Sequence, residues 1–165
     1  MATTYSPIAT TTLGSAQSSV TFSSISGSYT DLVAVINASA SGATAAWFST
    51  NASGASLFSD TRLSGNGSSA TSTRRSGQDE AIFTDSSEVG TTFSFVAVLN
   101  FMNYSNATTF KTVVSRSGSA GASTTAAVCL RRDTSAINSI TFDLVGAGTY
   151  SSGSTFTLYG IKSSA

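Results

Sequence analysis

The stretch Ser154-Thr155-Phe156-Thr157-Leu158-Tyr159-Gly160-Ile161, near the end of the chain, decides the fold class. Phe156 and Leu158 fall on one face of an extended chain, and Thr155, Thr157, Tyr159 and Ile161 on the other. This period of two, carried by β-branched and aromatic residues, is the pattern of a half-buried strand. The stretch Ile137 to Val145 repeats it just upstream, with Ile140, Phe142 and Leu144 alternating with Ser139, Thr141 and Asp143. The link from Gly146 to Gly153 is small, polar and glycine-rich, so the two runs read as an antiparallel hairpin. That hairpin is expected to pair back with earlier strands and close the sheet system.

Moving outward, Thr91 to Met102 is the longest strand candidate. Phe93, Phe95, Ala97, Leu99 and Phe101 share one face, and Val96, Val98 and Met102 the other. Strands over Thr108–Ser115 and Thr124–Leu130 follow turns at Asn103–Asn106 and Gly118–Gly121. Asp31 to Ala38 is apolar on both faces, which marks a central strand covered on each side. Ser18 to Ile25 places Val20 and Phe22 inward. Between Ser39 and Gly77 the pattern weakens, with Ala45–Phe48 and Ser56–Phe58 as short candidates. About eight to eleven short strands at even spacing, with no window of helical period, predict an all-β sandwich or barrel. Two packed sheets favour a single-domain antiparallel β-sandwich, jelly-roll-like, over residues 18–165. Residues 1–17 read as an N-terminal arm or edge segment.

Composition narrows the function classes. The 165 residues are 40% hydrophobic and only 10% charged, against about 25% in ordinary globular chains. Lys+Arg and Asp+Glu number 8 each, so the net charge is zero and nothing draws the chain as a whole to nucleic acid. No apolar run approaches the roughly 20 residues of a membrane helix, and no membrane association is expected. A surface this poor in charge suits a protein packed into an assembly. Histidine is absent, which removes the commonest general base and metal ligand. No catalytic residue, cofactor or metal is therefore expected. Cys129, the single cysteine, sits among Ala127, Val128 and Leu130 and reads as a small core hydrophobe.

The remaining side chains are weighed against simpler roles. Asp79, Glu80, Asp85 and Glu88 could supply paired carboxylates, but a solvated loop explains them with less. Arg131 and Arg132 are candidate interface residues, since Arg is enriched at interfaces, and a strand end reaching water explains them equally well. Tyr5, Pro7 and Ile8 are the candidate anchoring residues of the N-terminal segment. Trp47, in a weakly patterned region, is the candidate glycan contact, with core packing as the competing role.

Several segments also carry a resemblance. Tyr5 to Leu13 (YSPIATTTL), Ser19 to Ile25, Tyr29 to Leu32, Asn103 to Asn106, Phe110 to Arg116, Ile137 to Ile140 and Phe156 to Ile161 together span nearly the whole chain. In these the chain resembles small structural proteins of tailed bacteriophages, notably cyanophages. The resemblance implies a β-rich virion component. The first expectation is a non-enzymatic capsid decoration, or cement, protein on the capsid surface. It would contact the major capsid protein or other virion proteins as a homo-oligomer, with a trimer favoured. The second expectation is a tail or tail-fibre component binding host-surface glycan.

Overall fold

The computed structural model describes residues 4–42, 44–52 and 54–162. The first three residues of the expected arm lie outside these. The described residues form only strands and turns. In chain order the strands are β1 (Tyr5–Thr12), β2 (Val20–Phe22), β3 (Asp31–Ala38), β4 (Ala40–Ser41), β5 (Ala46–Thr50), β6 (Phe58–Gly65) and β7 (Ala70–Gln78). They continue as β8 (Ala81–Ile82), β9 (Phe95–Met102), β10 (Lys111–Ser119), β11 (Ser123–Arg131), β12 (Ile140–Leu144), β13 (Thr149–Tyr150) and β14 (Thr155–Ile161).

The protein is an antiparallel β-sandwich, jelly-roll-like. An eight-stranded sheet runs β1-β14-β3-β9-β10-β11-β6-β7, and a four-stranded sheet runs β2-β12-β5-β8. Every pairing is antiparallel. The chain repeatedly changes layer, passing from β2 to β3, β5 to β6, β8 to β9, and β11 through β12 to β14. A two-stranded ladder of β4 and β13, extended by a bridge between Gln17 and Tyr150, closes one end.

The closing stretch behaves as a strand, and Phe156 and Leu158 are fully buried. The hairpin expected around it does not form. β12 pairs with β2 and β5 in the small sheet, whereas β14 lies between β1 and β3 in the large one. Both strands bury one face, but from opposite sides of the same core, and Gly146–Gly153 crosses between layers. Phe93 also departs from its expected place. It precedes β9, is 52% exposed and rests against Gly121 in the turn between β10 and β11.

The core is a connected set of rings. Phe48 on β5 meets Phe101 at 5.2 Å, Phe58 at 5.8 Å and Phe83 at 6.4 Å between centroids. Phe142 meets Phe22, Phe83 and Phe156, and Tyr150 stacks edge-on to Phe156. These contacts join the two layers. Such ring pairs add about 0.5–1.5 kcal/mol each beyond area burial.

The inner face of the large sheet is not uniform. Under β3, β9 and β14 it is apolar, through Leu32, Ala34, Ile36, Ala97, Leu99, Phe101, Phe156 and Leu158. Under β10, β11 and β6 it carries buried Ser115, Ser117, Ser119, Ser123, Thr125, Asp60 and Ser64. The small sheet ends at β8, and residues 83–90 cover this polar half. Buried hydroxyls need partners, and that requirement shapes the sites below.

Candidate functional site

The outward face of the eight-stranded sheet is the most unusual surface of the molecule. Alternation along each strand sends Val33 and Val35 (β3), Val96, Val98 and Met102 (β9), Val114 (β10), Ala126, Val128 and Leu130 (β11) and Leu63 (β6) outward. Cross-strand registers align them. One row runs Tyr159–Val33–Asn100–Val114–Val128–Thr61, and the next runs Thr157–Val35–Val98–Arg116–Ala126–Leu63. Eight large apolar side chains are exposed among the described residues. Six of them (Tyr5, Leu63, Val96, Met102, Val114 and Val128) are on this face. Leu63, Tyr5 and Val128, at 59%, 55% and 52%, are the most open. A contiguous apolar patch of this kind marks a contact surface, whereas scattered ones do not. The flanks are hydroxyl-rich, with Thr10, Thr12, Thr155 and Thr157 on one side and β7 on the other.

The N-terminal segment forms the edge of this sheet. β1 pairs with β14 from Tyr5↔Ile161 to Thr12↔Thr155, with a register shift between Pro7 and Ala9. A proline and a bulge both blunt an exposed edge. Tyr5 is exposed and stands edge-on to Tyr159, 6.2 Å between centroids. Pro7 is exposed too. Ile8 is not offered outward as an anchor. The bulge turns it inward, where it packs on the core.

The two arginines are likewise engaged internally. Arg131 is almost fully buried, directly opposite Lys111 in the β10–β11 register. Its guanidinium donates to Asp133 and to Ser135, while Lys111 Nζ donates to the carbonyls of Thr109 (2.7 Å) and Thr134 (3.0 Å). Burial lowers the pKa of both cations. Arg132 donates to Ser59 Oγ and to the carbonyls of Ser56 and Phe58, tying the end of β11 to β6. The interface role expected of Arg131 fails because its charge sits inside the molecule.

The acidic residues separate. Asp79 accepts the Ser56 amide, Asp85 accepts the Ser87 amide, and Glu80 pairs with Arg75, which also binds the fully buried Asp60. Glu88 goes inside, where it meets Ser117 Oγ and Thr125 Oγ1. Burial pushes its carboxyl above the usual range, against those hydrogen bonds. Ser117 Oγ also lies 2.9 Å from the Phe83 carbonyl. Open clefts flank this loop, lined by Ser64, Asn66, Asp85, Ser87 and Ser123 on one side and by Thr92, Phe93 and Ser119 on the other. Among the described residues no three His, Cys, Asp or Glu side chains are grouped to hold a metal ion. Cys129 is buried and its thiol is pushed up to about 12.

Trp47 lies on β5, within the Ala45–Phe48 run expected as a short strand. It is half-buried on the outward face of the four-stranded sheet, opposite Asp143 and Ile82. Thr21 and Thr141 share that face and hydrogen-bond at 2.9 Å. The sequence pointed to Trp47 and not to the larger outward surface. The apolar outward residues alternate with inward ones on every strand, and the runs apolar on both faces were the available signal.

No protein-family model and no curated protein sequence matches the chain. Among solved structures it is similar to the Caenorhabditis elegans galectin LEC-6 at 8% identity and a TM-score of 0.40, with 93% of this chain and 96% of that chain covered. It is also similar to the protein of unknown function SO2946 from Shewanella oneidensis MR-1 at 8% identity and a TM-score of 0.20, covering 100% of this chain and 82% of that one. Neither likeness carries an argument about the site.

Proposed function

We propose that this chain is a non-enzymatic structural component of a tailed-phage virion, a capsid decoration protein acting through surface contacts. The observation that carries the reading is the apolar outward face of the large sheet, on a chain that is only 10% charged. A protein with that distribution is stabilised by being covered. Buried ionisable groups point the same way. Asp60, Lys111 and Arg131 are all bound to internal partners. The β1 edge, with Tyr5 and Pro7 exposed, is a second surface on which capsid subunits could bear. The placement in a virion is supported by the sequence resemblance described first. Quantitative mass spectrometry of purified particles tests it. The expected result is a copy number comparable to that of the capsid subunits. Absence from the particle would overturn the reading.

A second reading has one observation in its favour. Trp47 is a half-exposed indole beside Asp143 and the hydroxyls of Thr141 and Ser49, a grouping that suits a sugar ring. In that case the protein is a tail component that recognises host glycan. A glycan array read with the wild type and Trp47→Ala distinguishes it: specific binding lost in the variant supports the tail, and no binding to any glycan removes it.

A further inference from the structure

We propose that the outward face of the eight-stranded sheet is an interface between two copies of this chain, packed sheet on sheet about a two-fold axis. The inference rests on the reading of the chain as one that works by surface contact, and it names the partner. Three features of the face argue for a second copy.

The first is size. The strands of the large sheet are seven to nine residues long. At about 4.8 Å between strands and about 3.3 Å per residue, eight of them present roughly 900–1,000 Å². A stable interface needs about 800 Å² per partner, so one face meets that requirement by itself.

The second is layout. The open centre is Val35, Val98, Val114 and Val128, set around the already buried Val33, and the margins are threonines and serines. An apolar centre with a polar rim is the anatomy of a protein interface. Antiparallel sheets with outward β-branched side chains also stack on one another about 10 Å apart, which is how the inner face of this same sheet is already buried.

The third is charge. The charged residues on this face are Arg116 within the field and Asp31, Arg74 and Arg132 toward its margins. A surface with so few charges repels its own copy little, and it offers little to a strongly acidic or basic partner. Among the described residues the Arg116 side chain has no ion-pair or hydrogen-bond partner. Asn100, its diagonal neighbour, is the other polar side chain of these two rows apart from the hydroxyls of Thr61, Thr157 and Tyr159 at their ends. An unpaired Arg beside an amide in an apolar field is the kind of anchor that fixes register across an interface.

Light scattering of the purified full-length chain over a range of micromolar concentrations is the test. The expected result is a species of twice the 16.7 kDa chain mass. Val114→Glu and Val128→Lys should each raise the dissociation constant at least tenfold, with circular dichroism confirming the fold. Thr21→Glu, on the outward face of the small sheet, should leave the mass unchanged. A readout without substitutions guards against misfolded variants: peroxide oxidation of Met102, exposed on the face in one copy, should slow as concentration rises through dimer formation. A monomer at all concentrations, a trimer, or a dimer indifferent to both substitutions would overturn the proposal. These outcomes are separate from the virion count, which is read on particles and fails or succeeds by itself.

Discussion

Glu88 Oε2 lies 2.6 Å from Ser117 Oγ in the polar half of the sandwich, and that same Oγ reaches the Phe83 carbonyl. Ser117 has one hydroxyl proton and two acceptors to serve. Ser117 can donate to the Glu88 carboxylate or to the Phe83 carbonyl but not fully to both, so the charged carboxylate is left short of donors. Burial raises the carboxyl in the same direction. The native state therefore binds this proton more tightly than the unfolded chain. Its stabilising contribution is complete below the unfolded carboxyl value, about 4.3, and is lost as pH rises through the higher folded value. Glu88→Gln should flatten that decline and match or exceed the wild type at pH 7.5 in urea unfolding. A variant that loses more stability at pH 7.5 than at pH 4.5 would sink this account.

Asp133 behaves with the opposite sign. Hydrogen bonds from Ser135, with Arg131 and Lys111 nearby, hold its carboxyl below the usual range. Its contribution is present above the unfolded carboxyl value and is lost as pH falls through the folded one. Asp133→Asn leaves Lys111 and Arg131 buried face to face with less to offset them. The expected loss is about 1–3 kcal/mol at pH 7. Denaturant midpoints at pH 7 and pH 3.5 check it, since the difference from wild type should shrink at the lower pH.

Two glycines carry aromatic rings and should respond differently. A Cβ on Gly160 would lie 2.3–2.5 Å from Cδ1, Cγ and Cε1 of Tyr29, the near side of a ring packed on the core. Gly160→Ala should cost about 1–3 kcal/mol through overpacking. A Cβ on Gly121 would meet only the far atoms of Phe93, which is half exposed and able to swing outward. Gly121→Ala should cost less than about 1 kcal/mol. Thermal unfolding of the pair decides it, and equal losses would refute the distinction.

Phe48 is the hub of the ring cluster, in contact with Phe58, Phe83 and Phe101. Phe48→Ala should cost about 3–5 kcal/mol, because it removes transfer energy and leaves a cavity between layers. Val114→Ala on the outward face should change the stability of the isolated chain by less than about 0.5 kcal/mol. Comparing the two in urea separates the buried face from the open one.

Strand positions and their inward residues were legible in the alternation itself. Phe156, Leu158, Ile140, Phe142, Val20 and Phe22 face the core as their spacing requires. The contact surface was half legible. Val33, Val35, Val96 and Val98 signalled strands apolar on both sides, but nothing local says whether the second side is covered. The burial of Glu88, Lys111 and Arg131 was not legible, because a charged side chain ordinarily marks the exposed side of a strand or loop. Glu88 and Lys111 are tolerated inside through partners distant in sequence, Ser117, Thr125 and Thr134, and Arg131 through the nearby Asp133 and Ser135.

The amino-acid order alone therefore determined that the chain would be all strand and which side chain of each strand would seek the core, because alternation is a property of each segment by itself. Tertiary structure alone decided that β12 and β14 join different layers, that β1 closes on β14, and that the outward valines of four separate strands merge into one surface. The physical reason is that partner choice between strands is set by backbone hydrogen bonds and core packing between remote segments. A run such as Ile140–Leu144 satisfies its own pattern equally well in either layer.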